Sequence, residues 1–176
     1  MPFSFASKAL NLVLLAVFSS ACNPSLNWRE TRIGETGLAA LFPCKPDQLT
    51  RWVPLASAPV EIHLTACDAG GASFAISHAE LAEGRTAPDG LAQWRKATLA
   101  NMSATQTTET PIDIRTTSAP VISMLVQAQG KRSDGSTVSL HGVWIVRGKR
   151  VFHAAVYAPK VTAEMSETFF SGLEFQ

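Results

Sequence analysis

From Val60 to Cys67 the chain alternates without interruption between apolar and polar side chains, VEIHLTAC. Successive residues of a strand point to opposite faces, so a period of two marks an extended, half-buried segment. Val60, Ile62, Leu64 and Ala66 take one face, and Glu61, His63, Thr65 and Cys67 take the other. Asp68-Ala69-Gly70-Gly71 then supplies a turn, and Ser73–Leu81 runs back as the hairpin partner. A hairpin is marginal alone in water and needs more strands or a helix over its apolar face. The chain is thereby committed to building a sheet.

The flanking segments extend it. Trp28–Ile33, Leu38–Phe42 and Thr50–Leu55 read as strands, with Pro54 marking an edge or an end. After the hairpin the period changes: from Pro88 to Met102, Leu91, Trp94, Leu99 and Met102 recur at helical spacing. Pro88 suits a first helical turn, where its missing N–H has no partner to lose. Ser103–Glu109 reads as a threonine-rich loop, Ile112–Arg115 as a short strand, and Pro120–Gln129 as a longer one. Val138–Val146 and Val151–Ala158, joined by Arg147-Gly148-Lys149-Arg150, are two more strands. A last helix is expected over Thr162–Gly172, with Met165, Phe169 and Leu173 on one face. This order predicts an α+β fold: an antiparallel sheet of about six to eight strands covered by two helices.

The chain has 176 residues, 46% of them apolar and 16% charged, which suits one folded domain. Lys and Arg number 15 against 14 Asp and Glu, and loss of an N-terminal signal containing Lys8 would leave the two signs equal. A neutral surface offers no footprint for a phosphate backbone, so nucleic acid is not expected as a partner. The nearest basic cluster, Arg147, Lys149 and Arg150, reads as solvated turn residues.

Residues 1–21 carry the three parts of a secretory signal. Lys8 and the amino terminus give the positive start, and Ala9–Phe18 is an apolar stretch too short for the roughly 20 residues that span a bilayer. Ser19-Ser20-Ala21 are small residues at which a peptidase can seat the backbone. Small residues before Cys22 resemble the lipobox of bacterial lipoproteins, with Ser19 where leucine is usual. On this reading residues 1–21 are removed, Cys22 is acylated, residues 22–25 form a lipid-anchored tether, and 26–176 form a single domain. The alternative is cleavage by the ordinary signal peptidase, giving a soluble secreted protein with a free Cys22. Parity among Cys22, Cys44 and Cys67 favours the lipid, since an odd thiol is a liability in an oxidising compartment. Stable attachment takes more than one acyl chain, and the lipoprotein resemblance implies three. Asn23 stands where Asp is the usual inner-membrane retention signal, which favours the outer membrane. The expected partner is thus the bilayer, through acylated Cys22.

With Cys22 acylated, Cys44 and Cys67 remain as one pair. A bridge between them would stabilise by about 3 kcal/mol through loop-closure entropy. Redox pairs usually sit as Cys-x-x-Cys; that spacing is absent, so a structural disulfide is the stronger reading.

Phe42-Pro43-Cys44-Lys45-Pro46 is similar to a Phe-Pro-Gly-Lys-Pro segment found in one family of small envelope domains. The strand pair from Val60 to Leu81 and the Leu91–Met102 helix match it too. So do Arg150-Val151-Phe152 running to Tyr157-Ala158-Pro159-Lys160, and Phe169-Phe170-Ser171-Gly172-Leu173-Glu174-Phe175. Across nearly the whole mature chain the sequence therefore resembles the PsbP-like family, which includes envelope lipoproteins and a photosystem subunit. The resemblance implies an α+β sandwich and a non-enzymatic, often assembly or accessory, role. It brings no catalytic residues, and Cys44 departs from the family glycine.

His63, His78, His141 and His153 all fall on expected strands. Two or three sharing a face, with Glu61 or Glu80, could ligate zinc or copper. No pair has close ligand spacing, so they are minor candidates, and no metal or cofactor is expected. No Gly-x-Ser-x-Gly elbow is present, and Ser77-His78 are strand neighbours that point to opposite faces. Trp28, Trp52, Trp94 and Trp144 could line a groove, but core packing is their default. The expected function is a membrane-anchored, non-catalytic envelope lipoprotein that binds another envelope protein or supports an assembly. A small-ligand or metal-binding periplasmic domain is the alternative. A hydrolase comes third, to be revived by His63 or His153 clustering with a serine and an acid.

Overall fold

A computed structural model describes residues 26–55, 58–82, 86–117 and 121–176. The expected signal, Cys22 and the tether lie outside these residues. The elements in chain order are β1 (Arg29–Arg32), β2 (Leu38–Phe42), β3 (Asp47–Leu55), β4 (Ala58–Ala69) and β5 (Ala72–Glu80). Then come α1 (Ala87–Asn101), β6 (Gln106–Pro111), β7 (Arg115–Thr116), β8 (Ile122–Lys131), β9 (Thr137–Arg147) and β10 (Arg150–Ala158). Helix α2 (Ala163–Ser171) and strand β11 (Glu174–Phe175) close the chain. The fold is α+β, as the change of period predicts.

Seven strands form one antiparallel sheet in the order β3-β4-β5-β10-β9-β8-β6, and four short ones form a second sheet, β1-β2-β11-β7. Register assigns the two faces of the large sheet. His78 opposes Phe152, which opposes Ile145, so these side chains share one face. On that face Phe74, Ile76, Val143, Ile145, Phe152 and Val156 pack against β2, β11 and α2. Edge-on ring contacts join Phe74 and Phe42 to Phe169 of α2, each at 5.4 Å, and Phe152 to Phe175 at 5.3 Å. Each such buried phenylalanine stabilises by about 1.5–3 kcal/mol relative to exposure.

The opposite face is covered by α1. Leu91 and Trp94 lie on Val60, Ile62, Leu81 and Val151, while Leu99 and Met102 lie on Val126, Leu140 and Trp144. The Thr86 hydroxyl caps the helix by accepting from the Asp89 N–H, and Asp89 places a negative charge at the positive end of the helix dipole. At its other end the Met102 carbonyl accepts from the Lys131 N–H at 2.7 Å. A Cβ on Gly130 would sit 2.1 Å from that carbonyl oxygen, so only glycine lets β8 come so close.

Four sequence expectations change. Gln106–Pro111, whose first four residues fall in the expected loop Ser103–Glu109, is the edge strand β6; all six residues are exposed, so no buried side chain marks it. Of Ile112–Arg115 only Arg115 falls in a strand, the two-residue β7. After α2 the chain returns as β11, inserted between β2 and β7. Trp52, expected in the core, is 67% exposed.

Candidate binding groove

Pairing between β4 and β5 runs from Ala69 opposite Ala72 to His63 opposite His78, and there it stops. Beyond that point β4 stays with β3 as far as Leu55 opposite Ala58, and β5 stays with β10 as far as Glu80 opposite Arg150. The sheet therefore splits, and the split opens a cavity of about 410 Å³ between Trp52, Glu61 and His63 on one side and Glu80, Leu81 and Lys149 on the other. A second cavity of about 350 Å³ adjoins it, sharing His63 and Glu80. One wall of the second is the β1–β2 turn, whose Gly34 adopts φ +49° and comes down beside His78. Both volumes fall in the range of about 300–1,000 Å³ typical of small-ligand sites.

The register places the groove's side chains on one face. Thr50 opposes His63 and Trp52 opposes Glu61, so all four project to the side shared by His78 and Glu80. The His63 and His78 rings stack at 5.0 Å with 21° between their planes. His63 Nδ1 lies 3.1 Å from Thr50 Oγ1, and its Nε2 lies 3.7 Å from a Glu61 carboxylate oxygen. Arg150 closes the floor: its Nε donates to Glu80 at 3.2 Å and its Nη1 to the Glu35 carbonyl at 3.1 Å. Burial pushes the His78 imidazole down to about 4, with the neighbouring His63 and Arg150 adding to the fall. At neutral pH His78 is thus uncharged, with one ring nitrogen to donate and one to accept.

The four histidines divide. His63 and His78 meet in the groove. His141 shares their face by register but lies in a separate cavity with Thr108, Gln127, Ser139 and Lys160. His153 is on the opposite face, stacked 4.1 Å from Trp144 and edge-on to Trp94 of α1. Its burial pushes the imidazole down to about 3, and its Nε2 has no hydrogen-bond partner. Among the described residues no group of three or more His, Cys, Asp or Glu is arranged to hold a metal ion. The near-parallel stacking of His63 and His78 sends their in-plane lone pairs side by side rather than toward one point.

Thr50, His63 and Glu61 set a hydroxyl, an imidazole and a carboxylate in sequence. In a nucleophilic relay the acid is buried and hydrogen-bonded to fix the ring. Here the side chains of His63 and Glu61 are 47% and 43% exposed, and 3.7 Å is beyond hydrogen-bond length. Ser77 points away from His78, as the strand alternation predicts.

Cys44 and Cys67 are joined, with their sulfurs 2.04 Å apart. The bridge ties the segment after β2, in the small sheet, to β4 in the large one. Arg150, read from sequence as a solvated turn residue, instead anchors the groove floor. Arg147 lies over the Phe175 ring at 4.5 Å. Trp52, one of the four tryptophans that could line a groove, does so rather than entering the core, and β3 gives no alternation to signal it: six of its nine residues in succession are exposed.

No protein-family model matches the chain. No curated protein matches it. Among solved structures the chain is similar to a Pseudomonas aeruginosa protein of unknown function, at 19% identity and a TM-score of 0.38, over 78% of this chain and 85% of that one.

Proposed function

We propose that this chain is a PsbP-like envelope lipoprotein, anchored by acylated Cys22 and serving as a non-catalytic binding module on the periplasmic side of the outer membrane. The groove at the β4–β5 split is its recognition surface. The observation that carries the binding reading is the groove itself: an exposed indole at the rim of a cavity lined by Glu61, His63, Glu80 and Lys149 together with Pro59, Val60 and Leu81. The Cys44–Cys67 bridge supports an oxidising compartment, and it removes two of the three cysteines from other roles. The signal-like residues 1–21 and the small residues before Cys22 support the anchor.

The anchor is tested by intact mass of the full-length chain expressed in a Gram-negative host and extracted from the membrane fraction. The expected species begins at Cys22, carries acyl chains, and gains the mass of two hydrogens on reduction. An unmodified chain in the soluble fraction, or one retaining residues 1–21, would overturn the lipoprotein reading.

A further inference from the structure

We infer that the groove around Trp52 takes a saccharide, with one sugar ring stacked on the indole. This deepens the binding-module reading and rests on it. Of the described residues, Trp52, Leu49 and Ile122 are the large apolar side chains left in water. A single exposed apolar residue is ordinary on a protein surface. Trp52 differs in that it lines the cavity formed by the sheet split, directly opposite Glu61. An indole offers a broad flat face of negative potential, onto which a ligand with weakly positive C–H groups can lie.

The polar groups choose among ligand classes. The cavity sets carboxylates (Glu61, Glu80), an imidazole (His63) and an ammonium (Lys149) around that aromatic face. Thr50 adds a hydroxyl through its contact with His63. These are acceptors, donors and groups that do both, distributed around a rim. A strongly cationic ligand would call for uncompensated carboxylates, yet Glu80 is paired with Arg150 and Lys149 lines the same cavity. An anion would face Glu61 and Glu80. A neutral pyranose matches both parts: one face of C–H groups for the indole, and equatorial hydroxyls that donate and accept around the edge. The floor is preformed, since Arg150 locks Glu80 to the β1–β2 turn through the Glu35 carbonyl.

The test is a titration of the full-length protein, held in a detergent without a sugar headgroup, with chitotetraose, maltotetraose and, in parallel, neutral tetrapeptides. Intrinsic tryptophan emission and calorimetry are the readouts. The expected result is binding of an oligosaccharide with a change in emission, weakened at least tenfold by Trp52→Ala and several-fold by Glu61→Gln. Both variants change exposed or half-exposed side chains, and unchanged circular dichroism would verify their folding. Saccharide binding that survives Trp52→Ala undiminished would overturn the inference. Binding of peptide but of no saccharide would overturn it too, while leaving the groove as a recognition surface. Silence toward every probe would count against both the inference and the binding reading beneath it.

Discussion

Trp52→Ala is expected to leave unfolding free energy within about 0.5 kcal/mol of the parent, because the ring it removes is already in water. Trp144→Ala, by contrast, empties a fully buried position and is expected to cost about 3–5 kcal/mol. Urea melts of the two variants side by side check both values, and the contrast separates a recognition residue from a packing one. His153 makes a different kind of statement. It is buried with its imidazole at about 3, against an ordinary 6.5, so the unfolded chain takes up a proton that the folded one refuses. The folded state therefore holds its full stability above about pH 6.5 and loses it as pH falls toward 3, by up to about 1.4 kcal/mol per pH unit. His78, also lowered, adds to the loss in the same direction from a less buried position. His153→Phe is expected to flatten that acid-side slope, whatever it does to stability at neutral pH. Unfolding free energies measured between pH 4 and 7 give the slope, and an unchanged slope would contradict the assignment.

At the scale of elements, the contact between α1 and β8 is set by backbone rather than by side chains. Gly130→Ala would drive a Cβ into the Met102 carbonyl, which accepts from the Lys131 N–H and cannot move aside without losing that bond. A cost of about 3 kcal/mol or more is expected, with the end of α1 losing amide protection first in hydrogen exchange. That approach is invisible to pattern reading, whereas the helix itself is not: Leu91, Trp94, Leu99 and Met102 declare it by spacing. The same divide runs through the sheets. β2 is found at the bounds its apolar run predicts, and β5, β9 and β10 match within a residue or two, because both faces of these strands are filled. β6 escapes because an edge strand with every side chain in water carries no hydrophobic period. β7 and β11 are two-residue pairings made by tertiary packing of the chain end, beyond any local signal. The groove was partly legible. His63, Glu61, His78 and Glu80 were named as residues that register might assemble, and register does bring them to one face. Trp52 is one of four tryptophans offered for a groove, with nothing in the sequence to single it out, and Arg150 carries no such signal, since both roles depend on where β4 leaves β5.

At the scale of the whole molecule, the cysteine bridge is a covalent cross-link between two sheets that also meet through the phenylalanine-rich core and the Arg150–Glu35 contact. Cys44→Ser and Cys67→Ser are each expected to cost about 3 kcal/mol, the loop-closure entropy of the segment they enclose. Reductant should lower the stability of the parent to that of the variants and leave the variants unmoved. The groove belongs to the same scale: its floor is the large sheet, its wall the turn of the small one, and Arg150 spans the two. If this surface is what the protein presents from the membrane, whatever it holds in the cell must lie within reach of its rim. The direct measurement is photo-crosslinking in living cells, with a photoreactive residue replacing Gln48, exposed on the groove face of β3 at the rim, or Gln106 on the far edge strand. The expected result is a discrete adduct from position 48, lost when Trp52→Ala is added, and no such adduct from position 106. The same adduct from both positions, or one indifferent to Trp52→Ala, would contradict the groove as the site where this molecule binds.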